Sequence, residues 1–406
     1  LIVRRAYKFR LYPTTEQEAL LRQHGGNARF LWNHLLRSNQ DRYEQEGKFT
    51  FAHEMIVSLP SLKKEHDFLK LSFSQSLQQV ARHLDRALKD CFSGDKKFPR
   101  FKRKGTHSDS FTIPQKYRIG RAWVFIPKIG EVKWVKHRAI KGKIKHLTVS
   151  QDGEQWFCSV NVELRMRDRE PKGDSVVGID MGLTNYATLS NGSKISNPRL
   201  LRRFERRIIR AQRCLSRRTK GGNNRAKQAR KLARLYRRSR NARRDFQHKT
   251  TSQMIAKFDG FVLETLGIRD MMQDDKRAKS IGDAGWFEWK RQLRYKSAWN
   301  GKLCLEIDRW EPSSKTCHVC GWKYNDMDEK VRKWTCSVCK TEHDRDENAA
   351  INIREVGLHM YRGTTREFTP VETGGCSPAV AGQCRSLKQE KEVSGRGGAF
   401  TLPALI

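Results

Sequence analysis

The period of the hydrophobic pattern changes along the chain, and each change marks a new element. Residues 3–12 alternate apolar and basic, with Tyr7, Phe9 and Leu11 against Lys8 and Arg10, which is strand period. Pro13 ends that strand, and Thr15-x-x-Glu18 reads as a capping box that opens a helix. From there to about Phe92 the spacing is helical (Leu20, Leu21, Phe30, Leu31, Leu35, then Leu77, Leu84, Leu88), with breaks near Gly47 and Pro60. A basic stretch laced with aromatics, Lys96 to Gly105, follows; it reads equally as an RNA contact or a solvated linker.

Residues 108–168 change to short alternating runs between Gly and Asp turns, the pattern of a small antiparallel barrel or sandwich. The strand at 3–12 can join it, which makes the helical block an insertion into a β domain. At Ser175 a third region begins. Val176–Asp180 predicts a short buried strand ending in an acid, and Ala187–Ser190 with Asn191-Gly192 behind it suggests a hairpin. Residues 199–244 hold 20 Lys or Arg and one acid, Glu205, broken at Gly221-Gly222-Asn223, and predict a long basic helical hairpin. Phe258–Leu266 is another apolar strand carrying an acid, Glu264. Residues 283–299 form an aromatic helix whose rings are assigned to core packing, and a strand at 302–307 follows. Asp346 opens a helix through Ile353, an acid in the first turn where the dipole tolerates it. Residues 357–406 have few large apolar side chains and are expected to be mostly disordered.

Charge narrows the partners. The 406 residues carry 82 Lys and Arg against 44 Asp and Glu, a formal +38. That field exceeds what solubility needs and calls for a polyanion, so nucleic acid is the expected partner. An anionic membrane is the weaker option, because no segment reads as a span or a basic amphipathic anchor. Leu1-Ile2-Val3-Arg4-Arg5 lacks the apolar core of a signal peptide. Cys91, Cys158, Cys214, Cys304, Cys376 and Cys384 show no paired spacing, which points to a reducing cytosol.

Two constellations carry chemistry. Cys317-x2-Cys320 and Cys336-x2-Cys339 are separated by fifteen residues. Two such knuckles make a closed tetrahedral thiolate site, so a structural Zn2+ is expected; a redox couple needs only one CxxC. The second constellation is three acids, Asp180 and Glu264 at strand ends and Asp346 at a helix start. Each alone reads as a cap or surface acid. Converged, they give hard oxygen ligands for Mg2+ or Mn2+, with two ions about 4 Å apart serving phosphodiester hydrolysis.

Asp on a first strand, Glu on a later strand and Asp on a closing helix is the order of an RNase H-like nuclease. With Gly178-Ile179-Asp180-Met181-Gly182, Leu263-Glu264, Ser280 to Trp286, the CxxC pairs and Asp344-Arg345-Asp346-Glu347-Asn348-Ala349-Ala350-Ile351-Asn352 in place, the chain resembles the TnpB family of transposon-encoded RNA-guided nucleases, relatives of the type V CRISPR effectors. Phe9-Arg10-Leu11-Tyr12-Pro13 and Arg29 to His34 also fit, so the resemblance covers about residues 3–356.

The resemblance implies a multidomain α+β chain. A wedge-like β domain comprises 1–13 and 106–170, and a helical recognition domain 14–105. A RuvC-like nuclease comprises 171–310 and 341–356, with a zinc ribbon at 311–340 and a tail from 357. It implies Asp180, Glu264 and Asp346 as the catalytic Mg2+ or Mn2+ ligands, with Asp346 preferred to Asp344. Gln78 is implied as a contact to a short target-adjacent DNA motif, with Ser74 where a relative has Lys. Arg230, Arg234, Arg237 and Arg238 in the basic hairpin are expected to track RNA or heteroduplex phosphates. The implied partners are a transposon-derived guide RNA and double-stranded target DNA, with one copy of the protein per RNA, in a bacterial or archaeal cytoplasm at the nucleoid. The implied reaction is hydrolysis of DNA phosphodiesters. Two other classes stay open: a nuclease-dead RNA-guided repressor, against which the intact acids speak, and a zinc-ribbon DNA-binding transposition factor, which would carry no RNA of defined sequence.

Overall fold

A computed structural model describes residues 2–105, 109–166, 175–328 and 331–364. Contacts divide the chain into two compact units, Leu1–Asp168 with Arg207–Arg237, and Arg169–Arg206 with Arg238–Ile406.

In the first unit the opening alternation forms β1 (Ile2–Tyr12), with Val3, Tyr7, Phe9 and Leu11 buried. The cap of α1 (Thr15–Glu46) lies one residue before the Thr15-x-x-Glu18 box expected. Thr14 accepts from the Gln17 backbone N–H, and the Gln17 side chain answers to the Thr14 N–H. Gly47, at φ 67°, ends the helix in the left-handed conformation that glycine adopts without strain. Two short helices, α2 (Ala52–Val57) and α3 (Leu59–Glu65), a 3-10 turn at Asp67–Leu71 and α4 (Ser74–Phe92) complete the helical block. Pro60 falls in the first turn of α3, where its missing N–H costs nothing.

Then come β2 (Ser110–Ile113), β3 (Arg118–Ile119), β4 (Trp123–Ile126), β5 (Gly130–Val135), β6 (Lys143–Asp152) and β7 (Gln155–Arg165). They form a seven-stranded sheet, β2-β6-β7-β1-β5-β4-β3, in which every pairing is antiparallel. β1 sits between β7 and β5, so the first strand does join the later β region. Among the described residues no pairing closes β2 onto β3. Phe9, Leu31, Leu84, Val149 and Trp156 belong to one continuous core, so helices and sheet form one folding unit rather than the two domains expected. The basic stretch at 96–104 is strapped to α1: the Trp32 indole donates to the Arg100 carbonyl (3.1 Å), and Asn33 brackets Lys102 at 2.8 and 2.9 Å.

The second unit starts with β8 (Val176–Asp180), β9 (Asn185–Leu189) and β10 (Lys194–Ser196). The predicted basic hairpin is α5 (Leu200–Ser216) and α6 (Asn223–Lys257). It does not stay within one domain: Arg207–Arg237 groups with the first unit, whereas the sequence had placed all of it in 171–310. β11 (Gly260–Glu264), α7 (Ile268–Met271), α8 (Asp275–Ala284), α9 (Trp286–Trp299) and β12 (Leu303–Ile307) follow. The last described elements are β13 (Lys333–Thr335), β14 (Glu342–Asp344) and α10 (Arg345–Thr364). Helix α10 runs past 357, which corrects the expectation of disorder there: Val356 packs against the core and Gly357 lies on β11. Residues 365–406 lie outside the described residues.

The sheet order is β10-β9-β8-β11-β12, with β8, β11 and β12 parallel and β9 antiparallel to β8. Strand period then sorts the side chains between two faces. Val177, Ile179, Phe261 and Leu263 enter one core with Trp286, Trp289 and Leu293 of α9. Val176, Val262 and Ile307 face the other way, against Ile353 of α10. Gly178, Asp180 and Glu264 therefore lie on the face that α10 covers. Helix α10 comes close because two glycines admit it. A Cβ on Gly178 would meet the Ala350 carbonyl oxygen and, at 2.7 Å, the Arg354 nitrogen; one on Gly357 would strike Val262.

Candidate active site and metal centre

The register aligns Leu263 with Ile179, so the next residues, Glu264 and Asp180, stand side by side at the carboxyl ends of adjacent parallel strands. That edge is where open α/β sheets place their ligands. Helix α10, held against β8 by Gly178, brings Asp346 in its first turn to the same edge. Asp180 feels both burial and its acidic neighbours. Burial pushes the half-buried Asp180 carboxyl up, and the facing charges of Asp346 and Glu264 push it further, to about 7, against the pull of Arg345 and Arg332. Burial also raises the Glu264 carboxyl, opposed by the Lys290 ammonium. Arg332 donates to Asp346 Oδ1 at 3.3 Å, a cation already drawn to the cluster. Hard carboxylates at one sheet edge are the ligand type that a divalent cation takes.

Asp344 is differently engaged. Its Oδ1 accepts from the backbone N–H of Asp346 (3.1 Å) and Glu347 (3.3 Å), capping α10, while Lys194 Nζ holds Oδ2 at 2.6 Å. Burial works against ionisation, yet these bonds keep Asp344 below the ordinary carboxylate range.

Among the described residues the four cysteines are the one group of three or more Cys, His, Asp or Glu placed to hold a metal ion, with ligand atoms all within 4.8 Å of one another; Asp180, Glu264 and Asp346 share a sheet edge but are not drawn together in this way. Cys317 and Cys339 Sγ are 3.6 Å apart, as are Cys320 and Cys336 Sγ. A tetrahedron of sulfurs at Zn–S of ~2.3 Å has edges of about 3.8 Å, so the cluster is sized to hold a metal ion. Each knuckle closes the same way: Gly321 N–H donates to the Cys317 carbonyl (2.9 Å) and Lys340 N–H to that of Cys336 (3.0 Å). His343, buried, reaches Cys317 Sγ with Nε2 at 3.1 Å.

Three groups that the sequence did not single out for these roles hold the two centres in place. Asn348 Nδ2 and Asn352 Nδ2 donate to the Thr316 carbonyl at 2.8 and 2.6 Å, and Asn348 Oδ1 accepts from the His318 N–H at 3.1 Å. These bonds pin the first knuckle to the helix that carries Asp346; the spacing of Asn348 and Asn352 by four was the available signal. Lys290, buried on α9, donates to the Glu264 carbonyl oxygen at 2.5 Å and faces Glu306 at 3.4 Å. Nothing in the sequence marks it among 82 Lys and Arg.

The remaining site residues lie in or beside the first unit. Gln78 is half-buried on α4; its neighbour Gln79 lines a cavity of about 200 Å³ with Trp32, His83, Lys102 and His146. Ser74 accepts from Lys63 at 2.8 Å. Arg230, Arg234 and Arg237 line a cavity of about 420 Å³ with Arg22 and Glu154. They are not bare cations: Arg234 holds Glu154 through two bonds of 2.9 and 2.6 Å, Arg230 lies 3.9 Å from it, and Arg237 donates to the Asp152 carbonyl at 3.2 Å. Arg238 is exposed.

Fold and site together define a strongly basic, multidomain α+β protein with a four-cysteine cluster tied to the helix that closes on an acidic sheet edge. A family model described as "Probable transposase" (OrfB of the IS605 type) matches residues 159–275, one described as "Cas12f1-like, TNB domain" residues 286–353, and one described as "Helix-turn-helix domain" residues 3–48. The last span is here a strand and one long helix. A "Putative RNA-guided DNA endonuclease" of Streptomyces pristinaespiralis is 36% identical over 363 residues, covering 88% of this chain and 90% of the relative. A "Putative RNA-guided DNA endonuclease InsQ" of Escherichia coli K12 is 33% identical, covering 87% and 92%. A solved Cas12f1-sgRNA-target DNA complex contains a chain with TM-score 0.48 and 13% identity, covering 87% of this chain and 99% of that one. The chain belongs to the TnpB family of IS605-type transposon proteins. No described helix is long and apolar enough to cross a membrane.

Proposed function

We propose that this protein is an RNA-guided DNA endonuclease whose RuvC-like, RNase H-type core hydrolyses DNA phosphodiesters at Asp180, Glu264 and Asp346. The observation that carries the reading is the register that sets Glu264 beside Asp180 at the carboxyl edge of β8 and β11, with Asp346 opening the helix that packs on β8. Oxygens so placed would hold Mg2+ or Mn2+, which supply Lewis-acid stabilisation of the charge that develops on a phosphodiester. The chain's own part is to fix the donors: Gly178 lets α10 set Asp346 beside β8, Lys290 holds the end of β11, and Asp344 caps α10. Cys317, Cys320, Cys336 and Cys339 would hold Zn2+, which would close the two knuckles on each other, while Asn348 and Asn352 tie the first knuckle to that helix.

Sequence specificity belongs to guide pairing. The formal +38 suits a chain that holds RNA and a heteroduplex, and the names its relatives carry agree. Arg238 and the exposed cations of α5 and α6 are assigned to phosphates. Arg234, already tied to Glu154, is assigned to docking α6 on the β6–β7 turn. Gln78 remains the proposed contact to a target-adjacent motif. The test is to sequence RNA that co-purifies with the protein, then exchange its guide segment. Cleavage should move to DNA matching the new guide. A protein that carries no RNA of defined sequence, or cuts independently of it, would be a DNA-binding factor of another kind.

A further inference from the structure

Nine of the ten tryptophans are buried or half-buried; Trp310 is 75% exposed. An indole held in water keeps a large flat apolar face free to meet a partner. Strand β12 ends at Ile307, the register partner of Glu264, and Trp310 is three residues further on. At ~3.6 Å per extended residue, its backbone lies within about 11 Å of that strand end, the one paired with Glu264. The residue is fixed in place. Asp308 Oδ1 accepts the Trp310 N–H at 3.0 Å, and the Arg309 guanidinium lies 4.2 Å from the ring centroid. Arg309 is in turn held by Asp270, 3.4 Å away on α7, the helix that follows Glu264. With a cation behind one face, the exposure of the ring comes from the other.

We propose that Trp310, backed by Arg309, is a stacking platform for an unpaired base of single-stranded DNA at the edge of the acid site; the proposal rests on the nuclease reading above. A duplex offers no free base face, so the ligand is a single strand, which gains ~1–3 kcal/mol for each base stacked on an aromatic ring. The Arg309 guanidinium behind the ring is the cation–π partner that a stacked base shares, and Asp308 and Glu311 beside it make the setting polar, unlike that of an apolar protein surface.

The experiment measures binding of a labelled single-stranded oligonucleotide to the protein–RNA complex without divalent metal, for wild type, Trp310→Ala and Trp310→Phe. Trp310→Ala should weaken single-strand affinity by ~5- to 100-fold, with Trp310→Phe recovering most of it, while guide-RNA affinity and melting temperature stay unchanged. Unchanged single-strand affinity in Trp310→Ala would overturn the platform, and so would an equal loss of guide-RNA affinity. A single-strand loss in a protein that never cuts DNA would leave the platform standing and remove the nuclease reading instead.

Discussion

Asp344 and Asp346 sit two residues apart and have different surroundings. Asp344 gives its oxygens to the α10 amides and Lys194, whereas Asp346 faces the acid at the end of β8. The sequence could favour Asp346 only through family resemblance; the capping bonds now give a physical reason. Lys290 is the residue that pattern reading had no means to find. Its side chain is 8% exposed against 11% for Glu306, so truncation strands a buried carboxylate. Lys290→Met should destabilise the protein by up to about 3 kcal/mol, less to the extent that Arg294 keeps its hold on Glu306. Chemical denaturation of the two proteins, with the slope compared to exclude a change of unfolded state, checks this.

At the scale of elements, the acid site depends on how near α10 rides to β8. Gly178→Ala must push the Ala350 backbone away, which should cost about 1–3 kcal/mol and displace Asp346. Cleavage should therefore fall more than stability does, a split that parallel melting and cleavage assays would reveal; equal, small losses would mean that α10 tolerates the shift. The ribbon gives a second prediction. Cys336→Ser should abolish zinc binding, measured by metal analysis in reducing buffer, and loosen the knuckle that Asn348 and Asn352 clamp. Zinc retained at one equivalent would contradict the tetrathiolate assignment.

Strand and helix periods in the sequence anticipated these elements well, down to β1 joining a later sheet and Trp286 and Trp289 serving the core. Local signals were weaker at boundaries. Thr14 and Thr15 are both capping residues by type, and only geometry chose Thr14. The end of α10 was missed because 357–406 was judged by its overall composition, whereas Gly357 is where the helix passes close to Val262.

For the whole molecule, charge gave the partner class but not the addresses of the cations. Arg230, Arg234 and Arg237 looked alike in a run of one sign, yet the fold turns them toward Glu154 and Asp152, residues some 80 positions earlier that no local reading connects. The division of α5 and α6 between two compact units was likewise invisible, because the basic pattern runs across both boundaries, at 206–207 and 237–238, without a break. What the sequence did convey was that Asp180 and Glu264 end strands and Asp346 starts a helix, since strand ends and a helix start are local features.

The central claim is that three carboxylates form one metal-dependent cutting site, separate from the surface that holds RNA. The most direct measurement compares cleavage of guide-matched DNA with guide-RNA binding for Asp180→Ala, Glu264→Ala, Asp346→Ala and Asp344→Ala, in Mg2+ or Mn2+. The first three should each lose cleavage by several kcal/mol of transition-state stabilisation, on the order of 10³-fold or more, with RNA affinity near wild type. Asp344→Ala should lose about 1 kcal/mol of helix capping and retain substantial cleavage. Wild-type cleavage rates in all of the first three variants would contradict the assignment.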